Sequence, residues 1–254
     1  MPEIVPHILA DRAGGVLTLT IDRPEKKNAL TRDMYRALAE AINEASADTE
    51  IAVVVLRGAG GAFTAGNDLH DFQERALNPT NKQPSGGMLL LEALSSCEAV
   101  MMAGVKGVAV GIGTTALLHC DFVYAGRSAR FLTPFVDLGL SVEGASSLLL
   151  PQMIGPRAAA EMLLVCEELD ADQAMSLGLL NGVIPDVDLD PFVNARARAL
   201  AEKPRAALRA TKRMLLEAKK PAIEAAIQRE YVNFGECLRS AEAQALFAKF
   251  FKKE

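Results

Sequence analysis

The spacing of apolar residues changes along the chain, and each change marks an element. Pro6 to Ala10 and Gly15 to Ile21 read as two short strands joined by a turn containing Asp11 and Gly14-Gly15, which fits a β-hairpin. After Arg23-Pro24 and Asn28-Ala29-Leu30, Thr31 can cap a helix whose apolar residues Met34, Leu38, Ala41, Ile42 and Ala45 keep helical spacing. Ile51 to Leu56 is an unbroken apolar run, as a strand covered on both faces requires, so the helix before it reads as a crossover.

The pattern then recurs. A helix is predicted over Ser85 to Ser95, a strand over Ala99 to Val105, and a turn of small residues from Gly107 to Gly113 that enters Thr114 to Cys120. Phe122 to Ala125 and Arg130 to Thr133 follow as strands, ahead of a helical pattern over Glu143 to Met153. Repeated strand, strand, helix units predict an α/β fold of stacked, coiled layers rather than one Rossmann sheet. Beyond Pro156 strands become scarce, and helical patterns cover Arg157 to Val165, Phe192 to Ala201, Arg205 to Ala218 and Ala222 to Cys237. Pro204 and Pro221 stand where each can begin a helix. The expected division is a core over 1–195 and a helical C-terminal region over 196–254, whose apolar stripes exceed what one chain needs and point to self-association.

Composition narrows the classes. Of 254 residues, 50% are apolar, enough for one large core, and the net charge of −5 argues against nucleic acid as a partner. An anionic ligand would need a local basic patch. No apolar run reaches the roughly 18 residues of a membrane span, and neither Met1 to Pro6 nor Phe251-Lys252-Lys253-Glu254 reads as a targeting signal, so the cytoplasm is the expected location. Cys97, Cys120, Cys166 and Cys237 are scattered and read as reduced hydrophobes; His7, His70 and His119 are far apart, so no metal site is expected.

The most informative stretch is Leu56-Arg57-Gly58-Ala59-Gly60-Gly61-Ala62-Phe63-Thr64-Ala65-Gly66-Asn67-Asp68-Leu69, a glycine-rich turn leaving a strand. It lacks the Lys followed by Ser or Thr that ends a P-loop, and its glycine spacing does not fit a dinucleotide fold. Ala65 and Gly66 would let a substrate atom approach the main chain closely, which suits an oxyanion hole. On spacing alone, a tight strand-to-helix corner is the plainer reading.

Three motifs in order resemble the crotonase, or enoyl-CoA hydratase/isomerase, superfamily: Ile21-Asp22-Arg23-Pro24-Glu25-Lys26-Lys27-Asn28-Ala29-Leu30, Ala65-Gly66-Asn67-Asp68-Leu69, and Gly107-Val108-Ala109-Val110-Gly111-Ile112-Gly113. The resemblance implies a spiral of ββα units with a helical C-terminal region that trimerises, as a trimer or a pair of trimers. It also implies an acyl-CoA thioester as substrate, with coenzyme A part of that substrate and no further cofactor. The thioester oxygen would be held by the backbone N–H groups of Asn67 and Ile112, where the family usually has glycine at the second position. Arg23, Lys26 and Lys27 would face the coenzyme A phosphates, with main chain at Ala29, Leu30 and Ala65 around the adenine. Phe250 and Lys252 would close over the coenzyme from a helix. Acyl-end residues would come partly from Phe72 to Leu91.

The reaction type turns on acids. The two glutamates of the hydratases would fall at Thr115 and Phe135, neither of which can exchange a proton as a carboxylate does. Glu143 offers another carboxylate, and Thr133-Pro134-Phe135 with Ser141-Val142-Glu143-Gly144 resembles the peroxisomal-type Δ3,Δ2-enoyl-CoA isomerases. There this glutamate moves a proton between C2 and C4. Without the resemblance, Glu143 reads as an acid in a first helical turn. Asp68, His70 and Asp71 read as helix-start residues and Asp137 as a loop aspartate or weaker second acid. Hydration, thioester hydrolysis, dehalogenation and acyl-CoA binding without turnover remain alternatives on the same scaffold.

Overall fold

Strands β3 (Val16–Ile21), β4 (Val53–Gly58) and β5 (Val100–Val105) are buried along most or all of their length, and the larger sheet forms around them. In the computed structural model, which describes residues 2–68 and 85–251, this sheet has seven strands in the order β1-β2-β3-β4-β5-β7-β10. β1 (Glu3–Val5), β2 (Ile8–Ala13) and β3 run antiparallel; β4, β5, β7 (Phe122–Gly126) and β10 (Gly182–Ile184) continue from β3 in parallel. Parallel neighbours need crossovers, and α1 (Arg32–Ala47) and α2 (Gly86–Ser96) lie on that route. Thr31 caps α1 by accepting from the N–H of Met34.

A second, smaller sheet holds β6 (Val108–Val110), β8 (Arg130–Leu132) and β9 (Leu169–Asp170). Single bridges extend it, Thr64 beside Ala109 and Leu30 beside Asn67. Each turn of the chain therefore gives one segment to each sheet and then a helix: β3, Leu30 and α1; β4, residues 64–67 and α2; β5, β6 and α3 (Ile112–Thr115); β7, β8 and α4 (Ser146–Ile154). This is the coil that the repeated strand, strand, helix pattern predicts. The far face of the larger sheet is covered by α7 (Asp186–Ala201), whose Leu189, Val193 and Ala197 pack on Val53, Val55, Val100 and Met102.

Several expectations shift. β1, β9 and β10 are too short to carry a pattern, and 157–165 divides into α5 (Pro156–Ala160) and a wide turn at Glu161–Val165, before α6 (Ala171–Ser176). The helix predicted from Glu143 begins instead at Ser146, because Gly144 and Ala145 both take left-handed backbone (φ 71° and 58°), which no helix continues through. Asp68, the last described residue before 85, pairs with Arg23; the residues that would form the helix expected after it lie outside the described residues.

The C-terminal helices α8 (Arg205–Glu217), α9 (Lys220–Leu238) and α10 (Ala241–Phe251) pack onto the core of their own chain. On α8, Lys212 Nζ meets Asp121 Oδ2 at 2.6 Å, and Arg209 donates to the carbonyls of Ser46 (2.5 Å) and Asp48 (3.2 Å), satisfying the C-terminal end of α1. Ile223, Ala226 and Ile227 of α9 enter the main core, while Leu238, Ala243 and Phe247 form a separate cluster with Phe135 and Leu140.

Candidate active site

The site is built around the two glycine-containing turns, which lie against each other. Gly66 (φ 85°) is so close to the next segment that a Cβ there would be 2.7 Å from the Val110 carbonyl oxygen, so only glycine fits. The segment is held on one side by Leu30 N–H to Gly66 O (2.8 Å) and Asp68 N–H to Leu30 O (2.9 Å), and on the other by Val110 N–H to Thr64 O (3.0 Å). This register leaves Asn67 N–H without an acceptor among the described residues. Gly111 (φ 57°) donates to Leu132 O at 2.8 Å and turns the chain into α3. Ile112, first residue of that helix, also has an N–H with no acceptor among the described residues.

Asn28 locks the first turn. Fully buried and in left-handed backbone (φ 60°), it donates from Nδ2 to the carbonyls of Ala59 (2.8 Å) and Ala62 (2.7 Å). Its Oδ1 accepts from Arg23 N–H at 2.8 Å and its carbonyl from the Thr64 hydroxyl at 2.6 Å. Ala65 N–H donates to Lys27 O (2.9 Å), bringing Ala29, Leu30 and Ala65 together as one strip of main chain. Arg23 is turned inward, with Nη1 2.7 Å from Asp68 Oδ2 and 3.1 Å from Ala29 O, so its charge is already matched within the protein. Lys26 and Lys27 are exposed and make no ion pair among the described residues.

Glu143 sits in the loop before α4, and its carboxyl accepts a short hydrogen bond from the Thr115 hydroxyl. Thr115 is three residues after Ile112, about one helical turn, so the two lie on the same face of the short helix α3. Although the residue as a whole is only half-buried, the carboxyl itself is enclosed, and this burial pushes its pKa up to about 7. The Thr115 hydrogen bond opposes the rise and the nearby Glu230 charge adds to it.

Residues that sequence patterns did not single out complete the surroundings. Tyr35 of α1 is buried and donates its hydroxyl to Asn67 Oδ1 at 2.9 Å; its pKa is raised, by burial first and then by Glu143. His119 donates from Nε2 to Gly144 O at 2.9 Å, and burial lowers its pKa to about 4, keeping it neutral. Glu230 of α9 reaches the same loop. Helical spacing places Tyr35 and Glu230 on buried faces, but it does not announce their polar partners.

The structure thus brings Asn67, Ile112 and Glu143 into one region and places the Ala29, Leu30 and Ala65 strip and the Lys26-Lys27 loop beside the first turn. Phe135 is buried behind Gly111 and meets Phe234 edge-on. Asp137 is exposed on a short turn. Phe250 lies in the last turn of α10; Lys252, His70, Asp71 and most of Phe72 to Leu91 lie outside the described residues. No cluster of three or more His, Cys, Asp or Glu side chains suited to a metal ion occurs among the described residues, and no described helix is long and apolar enough to cross a membrane.

A rat protein named Enoyl-CoA delta isomerase 2 is 35% identical over 226 residues, covering 88% of this chain and 58% of the relative, so the chain spans little more than half that relative's length. A Rhodobacter capsulatus protein named "Probable enoyl-CoA hydratase" is 34% identical over 239 residues, 94% of this chain and 92% of the relative. The crystal structure of an enoyl-CoA hydratase/isomerase from Pseudoalteromonas atlantica T6c superposes with a TM-score of 0.91 at 40% identity, covering 98% of each chain. The profile of the family described as Enoyl-CoA hydratase/isomerase matches residues 11–254, which include both turns, the Glu143 loop and all three C-terminal helices. With two-sheet spiral, paired turns and near-complete coverage in agreement, the chain belongs to the enoyl-CoA hydratase/isomerase family.

Proposed function

We propose that the protein binds an enoyl-CoA thioester and moves its double bond from the 3- to the 2-position. The observation that carries this reading is the enclosed carboxyl of Glu143, held by the hydroxyl of Thr115 on the short helix α3 whose first N–H is that of Ile112. Thr115 and Phe135 stand where the family resemblance puts the two hydratase acids, and neither can activate water.

In this reaction the thioester oxygen accepts from the N–H groups of Asn67 and Ile112. Glu143 removes a proton from C2, the electron pair spreads into a dienolate held by those donors, and the Glu143 carboxylic acid returns the proton at C4. A pKa of about 7 suits a group that must both take and give a proton at neutral pH. Preorganised donors of this kind are worth roughly 3 kcal/mol each in the barrier. The thioester supplies the acidity, and the reading calls for no metal or redox cofactor. Lys26 and Lys27 face the coenzyme A phosphates, Arg23 orders their loop through Asp68, and the Ala29, Leu30 and Ala65 strip borders the adenine; the family resemblance adds Phe250 and Lys252 as residues that would close over it. Exposed Leu164 (69%) and Val165 (67%) support self-association, with a trimer or pair of trimers as the assembly.

The test is turnover of 3-hexenoyl-CoA and of crotonyl-CoA by wild type and Glu143→Gln, with products identified by chromatography. The expected result is 2-hexenoyl-CoA from wild type and loss of at least about a thousandfold in the variant. Fast hydration of crotonyl-CoA that survives Glu143→Gln would overturn the reading.

A further inference from the structure

We propose that Glu230, on the C-terminal helix α9, is a positioning residue that holds the Glu143 loop in its working geometry. The inference rests on the reading of Glu143 as the proton carrier.

The loop before α4 has an unusual construction. Gly144 and Ala145 are consecutive left-handed residues (φ 71° and 58°), and Ala145 occupies the N-cap position of α4 with no side chain able to cap it. The first N–H groups of such a helix need acceptors from elsewhere. Glu230 supplies them from 85 residues further along the chain: Oε2 accepts from Ala145 N–H at 2.6 Å. Oε1 accepts from Ser147 N–H at 3.0 Å and from the Ser147 hydroxyl. Both oxygens act as acceptors, at a residue that is 4% exposed. The peptide unit that carries Ala145 N–H also carries Gly144 O, which accepts from His119 Nε2. One peptide plane, immediately after Glu143, is therefore gripped at both ends.

The grip has an electrostatic consequence that separates positioning from mere folding. Among the described residues, the groups facing Glu143 are the Thr115 hydroxyl on α3, the Tyr35 hydroxyl on α1, and the Glu230 carboxylate on α9. His119 stands behind Gly144 and is neutral, and α2 presents apolar Leu91 against Gly144. Glu230 is the anion of this set, so removing its charge lowers the pH at which Glu143 ionises. Removing its reach while keeping its charge does not.

The experiment is the pH dependence of 3-enoyl-CoA isomerisation by the full chain, together with amide hydrogen exchange over residues 141–149, for Glu230→Gln, Glu230→Asp and Ser147→Ala. In Glu230→Gln, kcat falls roughly tenfold with KM changed less than about twofold, and the acid limb of kcat/KM moves down by about half a unit. In Glu230→Asp, kcat falls similarly while the limb does not move down. Both lose exchange protection at Ala145 and Ser147, and Ser147→Ala shows a smaller loss. If Glu230→Gln does not fold, the aspartate and alanine variants carry the test. Unchanged protection and an unchanged kcat in the variants that fold would overturn the proposal. Should Glu143→Gln remain active while the Glu230 variants lose loop protection, the reading of Glu143 falls and the holding of the loop stands.

Discussion

Replacing Thr115 by valine keeps the side-chain shape and removes the hydroxyl that donates to the Glu143 carboxyl. That bond favours the ionised form, so its loss raises the pKa of Glu143 above the wild-type value of about 7. A hydrogen bond to a charged group contributes roughly 1.5–3 kcal/mol, and at about 1.4 kcal/mol per unit this is a rise of roughly one to two units. About half of the wild-type enzyme carries the ionised base at pH 7; in Thr115→Val the fraction is on the order of 1–10%. The expected result is a kcat/KM lower by roughly 5- to 50-fold at pH 7, with the difference shrinking as the pH is raised toward 9 or above. Initial rates of 3-hexenoyl-CoA isomerisation between pH 6 and 9.5 measure it. An acid limb that stays in place, or moves to lower pH, would refute the role of the hydroxyl and the enclosure of the carboxyl together.

Other consequences can be measured without substrate. The folded pKa of Glu143, about 7, lies above its ordinary 4.5, so its contribution to stability is complete below pH 4.5 and is lost as the pH rises through 7. Glutamine cannot ionise, so Glu143→Gln is expected to be more stable than wild type at pH 8 by on the order of 2 kcal/mol, discounted from full linkage for partial solvent contact, with no gain at pH 4.5; denaturant melts at the two pH values check it, and an equal gain at both would contradict the linkage. Gly66→Ala puts a Cβ 2.7 Å from Val110 O at a φ of 85°, and is expected to cost roughly 1–3 kcal/mol in stability and about a hundredfold in kcat by displacing the Asn67 N–H. Normal turnover by this variant would show that the turn does not need its observed geometry. Lys212→Ala leaves Asp121 without its 2.6 Å partner beneath α8 and is expected to cost roughly 3 kcal/mol; a Tm within about a degree of wild type would show the pair to be dispensable.

The parts of the fold that pattern reveals are those whose burial is uniform. Val53 to Leu56 and Val100 to Val105 are buried at every position, and their unbroken apolar runs say so; α1 buries Met34, Leu38, Ala41, Ile42 and Ala45, the residues its spacing selects. The site was legible where backbone geometry restricts residue type, as at Gly66 and Gly111. It was not legible where tertiary partners decide. The helical pattern over Glu143 to Met153 places Glu143 in a helix, but Gly144 and Ala145 take left-handed backbone and hydrogen-bond to His119 and Glu230, both distant in sequence. Arg23 looks like an open charge until Asp68, 45 residues later, folds against it. Tyr35 fits a helix's core face, and its spacing carries no sign of the hydroxyl's bond to Asn67.

The fixed donors of this site are main-chain N–H groups, set by glycines and by Asn28, whereas the proposed proton carrier and its partners are side chains at 115, 135 and 143. In the proposed reaction, charge stabilisation and proton transfer are consequently separable modules. A substitution at any of those three positions can redirect the chemistry while the anion cradle, written in backbone rather than in side-chain identity, is inherited unchanged. That makes the scaffold a tolerant starting point for divergence, and it locates the intolerance to mutation in Asn28, Gly66 and Gly111, residues that touch no proton in the reaction.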